Sequence, residues 1–182
     1  VNLAVDPLIS ASAGLLVGLI LVGAASHKWT SKYEFRSVLS AYRVLPESSL
    51  DVASVIVPAT ESLIFGLLLW PTTRVFGAMA AVALFTLYSA AIGLNISRGR
   101  SEIDCGCSWA GHGQSLSAWL IARNGVLIAL ATVAAFASSD RALGVLDVVV
   151  VLAAAACGLL FYHAADRLIA NGAKLRTLRS AT

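Results

Sequence analysis

Charge is scarce in this sequence. Only 13% of its 182 residues are Asp, Glu, Lys or Arg, about half the ~25% of an ordinary soluble domain. Set against 58% hydrophobic residues, that shortage excludes a conventional water-soluble globule. Cysteine is scarce too. Three residues, an odd number, do not make the disulfide framework of a small secreted scaffold. Lys and Arg are absent from residues 1–6, so the charged n-region of a signal peptide is missing, and the apolar run from Leu8 to Ser26 is longer than an h-region; a retained first transmembrane helix is expected. The sequence also lacks a nucleotide-binding fingerprint, a Ser-His-Asp arrangement and a pair of catalytic carboxylates. No Pro/Gly/Ser-rich linker and no internal repeat divides it, which predicts one domain over 1–182.

What the chain does have is apolar runs about as long as the ~20 residues that cross a bilayer. They predict helices over Pro7–Ser26, Val52–Trp70, Val75–Ile96, Leu116–Ala137 and Leu143–His163. The fold class expected is an all-α integral membrane protein, a bundle of five transmembrane helices built as a four-helix core plus one. Gly14, Gly18 and Gly23 offer the first helix small faces for close packing. Between the first two spans, the segment Lys28–Leu50 repeats Phe35, Val38, Leu39, Tyr42 and Leu45 at helical spacing, with Lys32, Arg36 and Arg43 charged. That pattern predicts an amphipathic helix lying in the membrane interface.

The net charge of +3 belongs to loops of a membrane protein rather than to a nucleic-acid surface. Lys28, Lys32, Arg36 and Arg43 fall in the first connection, Arg98 and Arg100 in the third, and Arg167, Lys174, Arg176 and Arg179 in the tail. The alternate side holds only Arg74 and Arg141. By the positive-inside rule the N-terminus is expected outside, with the third connection and the C-terminus cytoplasmic, in a bacterial plasma (inner) membrane.

That third connection, Ser97 to Ser115, contains Asp104-Cys105-Gly106-Cys107-Ser108-Trp109-Ala110-Gly111-His112-Gly113. Cys105 and Cys107, one residue apart, can close a small strained disulfide, with Gly106 supplying the backbone freedom; strained bridges are the more oxidising ones. The same thiolates with His112 could hold a soft metal ion. They could equally be ordinary loop thiols. Glu61 and Arg123 lie nine and seven residues inside their expected helices, depths of roughly 13 and 10 Å at ~1.5 Å per residue. Charge at such depth faces the bundle interior or a partner, so the two are expected to pair, with Asn124 hydrogen-bonding nearby. His27 and Lys28 close the first helix on the same side and could line that site or meet headgroups. Cys157 reads as buried packing or as a third, resolving thiol. His163 reads as a headgroup contact and Asp147 as a group reaching outer headgroup water.

These motifs together resemble the MauE family of methylamine-utilisation membrane proteins, within the wider DoxX-like group. The resemblance rests on His27-Lys28, the aromatic segment leading to Leu45-Pro46, Pro58-x-x-Glu61, Asp104-Cys105-Gly106-Cys107 and Arg123-Asn124, and is strongest over residues 8–136. It implies a membrane partner of thioredoxin-like proteins, associated with disulfide formation in an exported enzyme subunit, and electron exchange with quinone. Such a role implies working thiols on the outer side, opposite to the charge count. The function expected is thiol-disulfide exchange between the Cys105/Cys107 pair and a thioredoxin-like partner, with Glu61, Arg123, Asn124, His27 and Lys28 shaping the site. Two alternatives stand beside it: soft-metal binding or transport by Cys105, Cys107 and His112, and a non-catalytic subunit of a larger membrane complex.

Overall fold

The first helix starts where the sequence can satisfy its end. Asp6 Oδ1 accepts from the Leu8 N–H at 2.8 Å, and Pro7 takes the first helical position, where a missing N–H costs nothing. In this computed structural model, residues 5–100, 103, 116–136, 141 and 143–180 are described. They form α1 (Pro7–Thr30), α2 (Lys32–Tyr42), a single 3₁₀ turn (Glu47–Ser49), α3 (Leu50–Leu69), α4 (Arg74–Ser97), α5 (Ala118–Ala135) and α6 (Val145–Ser180). Five of these helices are long and apolar enough to cross a membrane, as expected.

Three boundaries differ from those the sequence suggested. α1 runs a turn beyond Ser26 and carries His27 and Lys28 inside it. The amphipathic helix is shorter than Lys28–Leu50, because Arg43 takes a left-handed conformation (φ 47°) and Pro46 is extended; both end a helix. α6 continues past His163 to Ser180.

Each membrane helix buries one stripe. On α1 the stripe includes Gly14, Val17, Gly18, Leu21, Ala25 and Lys28; on α3 it includes Ser54, Pro58, Glu61, Ile64 and Leu68. These spacings of three and four residues trace one helix face. The apolar centre is built from Val17, Leu21, Ile64, Leu68, Ala81, Phe85, Leu127 and Ala131. α1 packs on α3, α5 and α6, and α4 packs on α3 and α5, giving the expected four-helix core with α6 added chiefly along α1. The small residues act unequally. A Cβ at Gly18 would meet Phe65 at 2.9 Å and one at Gly14 would meet Arg74 at 3.5 Å, whereas at Gly23 none of the described residues comes within 4 Å.

The alternation of helix directions puts the end of α1, all of α2, the start of α3, the end of α4, the start of α5 and the later part of α6 at one end of the bundle. His27, Lys28, Arg123 and Asn124 belong to that end, and Glu61 lies midway along α3.

Candidate functional site: a buried ion pair beneath an interfacial helix

Lys28 closes the buried stripe of α1 and Glu61 lies in the middle of the stripe of α3. Their side chains meet: Nζ donates to Glu61 Oε1 at 2.5 Å, with side-chain exposures of 2% and 0%. The Tyr88 hydroxyl, from α4, donates to the same oxygen at 2.7 Å. The ammonium also faces two rings, Phe35 of α2 at 5.4 Å and Tyr88 at 5.6 Å from the centroids, a cation–π arrangement that replaces part of its lost hydration. Among the described residues, Glu61 Oε2 is buried without a hydrogen-bond partner. Pro58, one turn before Glu61, is fully buried on the same face. Lacking an N–H, it leaves the Ser54 carbonyl outside the helix ladder.

Above this pair lies a cavity of about 340 Å³, walled by α2, the Val44-Leu45 turn, α3 and α4, with Lys28 and Tyr88 at its polar end. The apolar side of α2 supplies Phe35, Val38, Leu39 and Tyr42 to its wall, and Leu45 joins them, the five residues whose spacing predicted the amphipathic helix. Tyr42 and Ile92 belong to two things at once. They line the cavity, and they pack in a second apolar cluster with Leu116, Leu120 and Ile103. The Leu116 N–H donates to the Ile103 carbonyl at 3.2 Å. Cys105, Cys107 and His112 fall between Ile103 and Leu116 in the chain and lie outside the described residues.

The expected pair of Glu61 with Arg123 does not form. Glu61 takes Lys28 and Tyr88, while Arg123 Nη1 donates to Asp166 Oδ1 of α6 at 2.8 Å, both side chains 8% exposed. Arg123 also lies 5.5 Å from the Tyr162 ring centroid. Asn124 is buried on the α5 stripe but bonded to neither Glu61 nor Arg123. The reason is rotational order: α3 turns Glu61 toward α1 and α4, while α5 turns Arg123 toward α6. Lys28 is therefore a buried partner rather than a headgroup contact. Its neighbour His27 is only half-buried and stands off this pair.

Three residues of the site carried no strong signal. Tyr88 is half-buried on α4, between the buried Phe85 and Ile92. Asp166 sits three residues beyond the expected end of the last helix, so it reads as tail. Phe35 was legible as apolar, not as a cation's neighbour. Cys157 is exposed on the outside of the bundle, not buried as packing. His163 makes an edge-on contact with Tyr162 at 5.4 Å.

At the opposite end Arg141 bridges Asp6 at 3.3 Å and Asp147 at 3.1 Å. The Asp147 and Asp6 carboxylates hold its guanidinium above its ordinary pKa. At the site end, the half-exposed Arg36 of α2 is held above its ordinary pKa by its hydrogen bond to Asp51 at 2.5 Å, which ties α2 to the start of α3.

Five apolar helices, two buried ion pairs and an amphipathic helix over an apolar cavity define a multi-pass helical membrane protein. Comparison with known sequences is more specific. The family described as "Methylamine utilisation protein MauE" matches residues 6–137, and the chain belongs to that family. It is 37% identical over 128 residues to a methylamine utilization protein MauE of Paracoccus denitrificans, covering 70% of this chain and 68% of the relative. To the protein of that name from Methylophilus methylotrophus it is 41% identical over 102 residues, 56% of this chain and 54% of the relative. To that of Paracoccus versutus it is 32% identical over 164 residues, 90% and 88%. No solved structure matches the chain.

Proposed function

We propose that this chain is a membrane-embedded thiol–disulfide redox protein of a methylamine-utilisation system in a bacterial inner membrane, working through Cys105 and Cys107. The observation that carries the reading is where their stretch is anchored. Its flanking residues Ile103 and Leu116 pack in the cluster that shares Tyr42 and Ile92 with the wall of the Lys28 cavity. The names of the relatives supply the system.

The chemistry is exchange with a thioredoxin-like partner. One thiolate of the pair attacks the partner's disulfide and forms a mixed disulfide, releasing the partner's first thiolate. The second thiol of the pair, deprotonated, then attacks the mixed bridge and releases the partner's other thiolate. The partner gains two electrons and the Cys105/Cys107 pair becomes the disulfide; the reverse sequence oxidises the partner. In that reverse direction the electrons reduce the Cys105/Cys107 disulfide, and a membrane quinone is the acceptor class that the family resemblance implies for re-oxidising the pair. Glu61, Lys28, Arg123, Asn124 and His27 shape the membrane side of the site.

Replacing both cysteines with serine, and trapping the partner's thiols in cells with acid and maleimide, tests this. The reading requires the partner's redox state to shift; an unchanged partner overturns it. Labelling intact cells with a membrane-impermeant thiol reagent, before and after reduction, decides the side. Labelling only after reduction means an outward disulfide. Labelling only after the membrane is opened means the cytoplasmic loop expected from the charges. Lys28 drops out of that charge count because it is buried, yet the same side still carries the excess.

A further inference from the structure

We infer that the cavity beneath α2 is a binding site for a neutral, largely apolar molecule that presents one carbonyl oxygen to Lys28. The inference does not rest on the thiol reading, since every residue it uses lies outside the stretch with Cys105 and Cys107.

The donor inventory points to an acceptor. A lysine ammonium carries three N–H groups, and among the described residues Lys28 makes one hydrogen bond, to Glu61. Two donors of a group 2% exposed therefore remain at the polar end of the cavity. Leaving charged donors unsatisfied in an apolar setting is costly, and the Phe35 and Tyr88 rings at 5.4 and 5.6 Å compensate only in part. The charge balance then selects the ligand. Glu61 already neutralises Lys28, so an anionic headgroup would add an uncompensated charge beside that carboxylate, and a cation would face the ammonium. A neutral acceptor meets both conditions.

The rest of the cavity calls for an apolar body. Apart from Lys28, Tyr88 and the Tyr42 ring, its walls are Phe and aliphatic side chains of α2, α3 and α4. Its volume of about 340 Å³ is in the range of small-molecule sites, roughly 300–1,000 Å³. α2 lies at the membrane interface, so the molecule would come from the bilayer. A carbonyl on an apolar body has two sources there: the ester of a neutral glycerolipid, or a freely diffusing carbonyl compound such as a quinone.

Benzophenone, a neutral diaryl ketone that inserts into nearby C–H bonds on irradiation, is the probe. The full chain in detergent micelles is irradiated with it, and the labelled residues are mapped by mass spectrometry. Labelling is expected on cavity residues of α2 and α4, such as Leu39 and the buried Leu84. Diphenylmethane, the same shape without the carbonyl, should displace it about tenfold or more less well than unlabelled ketone does. Displacement by duroquinone identifies the free carbonyl source, and displacement by dioleoylglycerol the lipid source; either supports the site. The preference for the ketone should vanish in K28M/E61Q, which removes both charges together. Leu39→Trp, which fills the cavity without touching the ion pair, should abolish cavity labelling while labelling of Leu160 and Phe161 on the outer face of α6 persists. Labelling spread evenly over α6 and the cavity, or equal competition by diphenylmethane, overturns the inference.

Discussion

Lys28 and Glu61, 33 positions apart in sequence, are joined at 2.5 Å in the interior of the bundle, and Tyr88 donates to the same carboxylate oxygen at 2.7 Å. The pair ties α1, α3 and α4 together beneath α2. Taking two charges out of water is expensive, and the attraction between them roughly repays it only while both are present.

Glu61→Gln alone, or Lys28→Met alone, strands one buried charge and should destabilise the protein by about 3–5 kcal/mol. The double variant K28M/E61Q should recover most of that loss. Thermal denaturation of the purified proteins in one detergent compares them. A double variant as unstable as the worse single variant would show that the two charges do not act as a pair.

Arg123 and Asp166 join α5 to α6 at 2.8 Å. A double-mutant cycle on R123M and D166L should give a coupling above about 1 kcal/mol, whereas a cycle on R123M and E61Q should stay within about 0.5 kcal/mol of additivity. Coupling of Arg123 to Glu61 larger than to Asp166 would contradict the observed partners.

Gly77 sits where α4 leaves its turn against α3. A Cβ there would come within 2.9 Å of Leu67 Cβ and 3.0 Å of the Leu68 backbone nitrogen, and backbone cannot step aside as a flexible side chain can. Gly77→Ala should therefore lower the melting temperature. At Gly66 nothing among the described residues lies within 4 Å of an added Cβ, so Gly66→Ala should be neutral or stabilising by up to about 1 kcal/mol, the helix preference of Ala over Gly. Equal effects at the two positions would refute the close approach at Gly77.

Cys157 is exposed on α6 within an apolar span. In the bilayer it should resist N-ethylmaleimide and a permanently charged methanethiosulfonate alike, because both react with a hydrated thiolate, and it should be modified once the protein is unfolded in sodium dodecyl sulfate. Cys157→Ser should leave the redox state of a thioredoxin-like partner unchanged, because in the proposed exchange resolution falls to the second thiol of the Cys105/Cys107 pair. A partner trapped only when Cys157 is present would reverse that assignment.

Much of this arrangement was legible in the residues. The apolar runs were long enough to name five spans, and Phe35, Val38, Leu39, Tyr42 and Leu45 named the interfacial helix and the face that now walls the cavity. The depth of Glu61 and Arg123 marked both as interior charges, since a lipid-facing position would be too costly. Their partners were not legible. Lys28 was masked by its place at the end of an apolar run, although it falls three residues after Ala25 and seven after Leu21 on the buried stripe of α1. Asp166 was masked because α6 runs on past His163, so a core residue looked like the start of a basic tail.

By itself, then, the sequence determined which segments are helices, which end of the bundle holds the polar residues and which face of each helix turns inward. Those properties follow from hydrophobic periodicity, which is local to each segment. Only the tertiary structure decided that Glu61 takes Lys28 and Tyr88 while Arg123 takes Asp166. Pairing depends on the order of helices around the bundle and on the rotation of each about its own axis. Both are set by how small and large side chains of different helices fit together, as at Gly18 against Phe65 and Gly77 against Leu67, and no single segment contains that information.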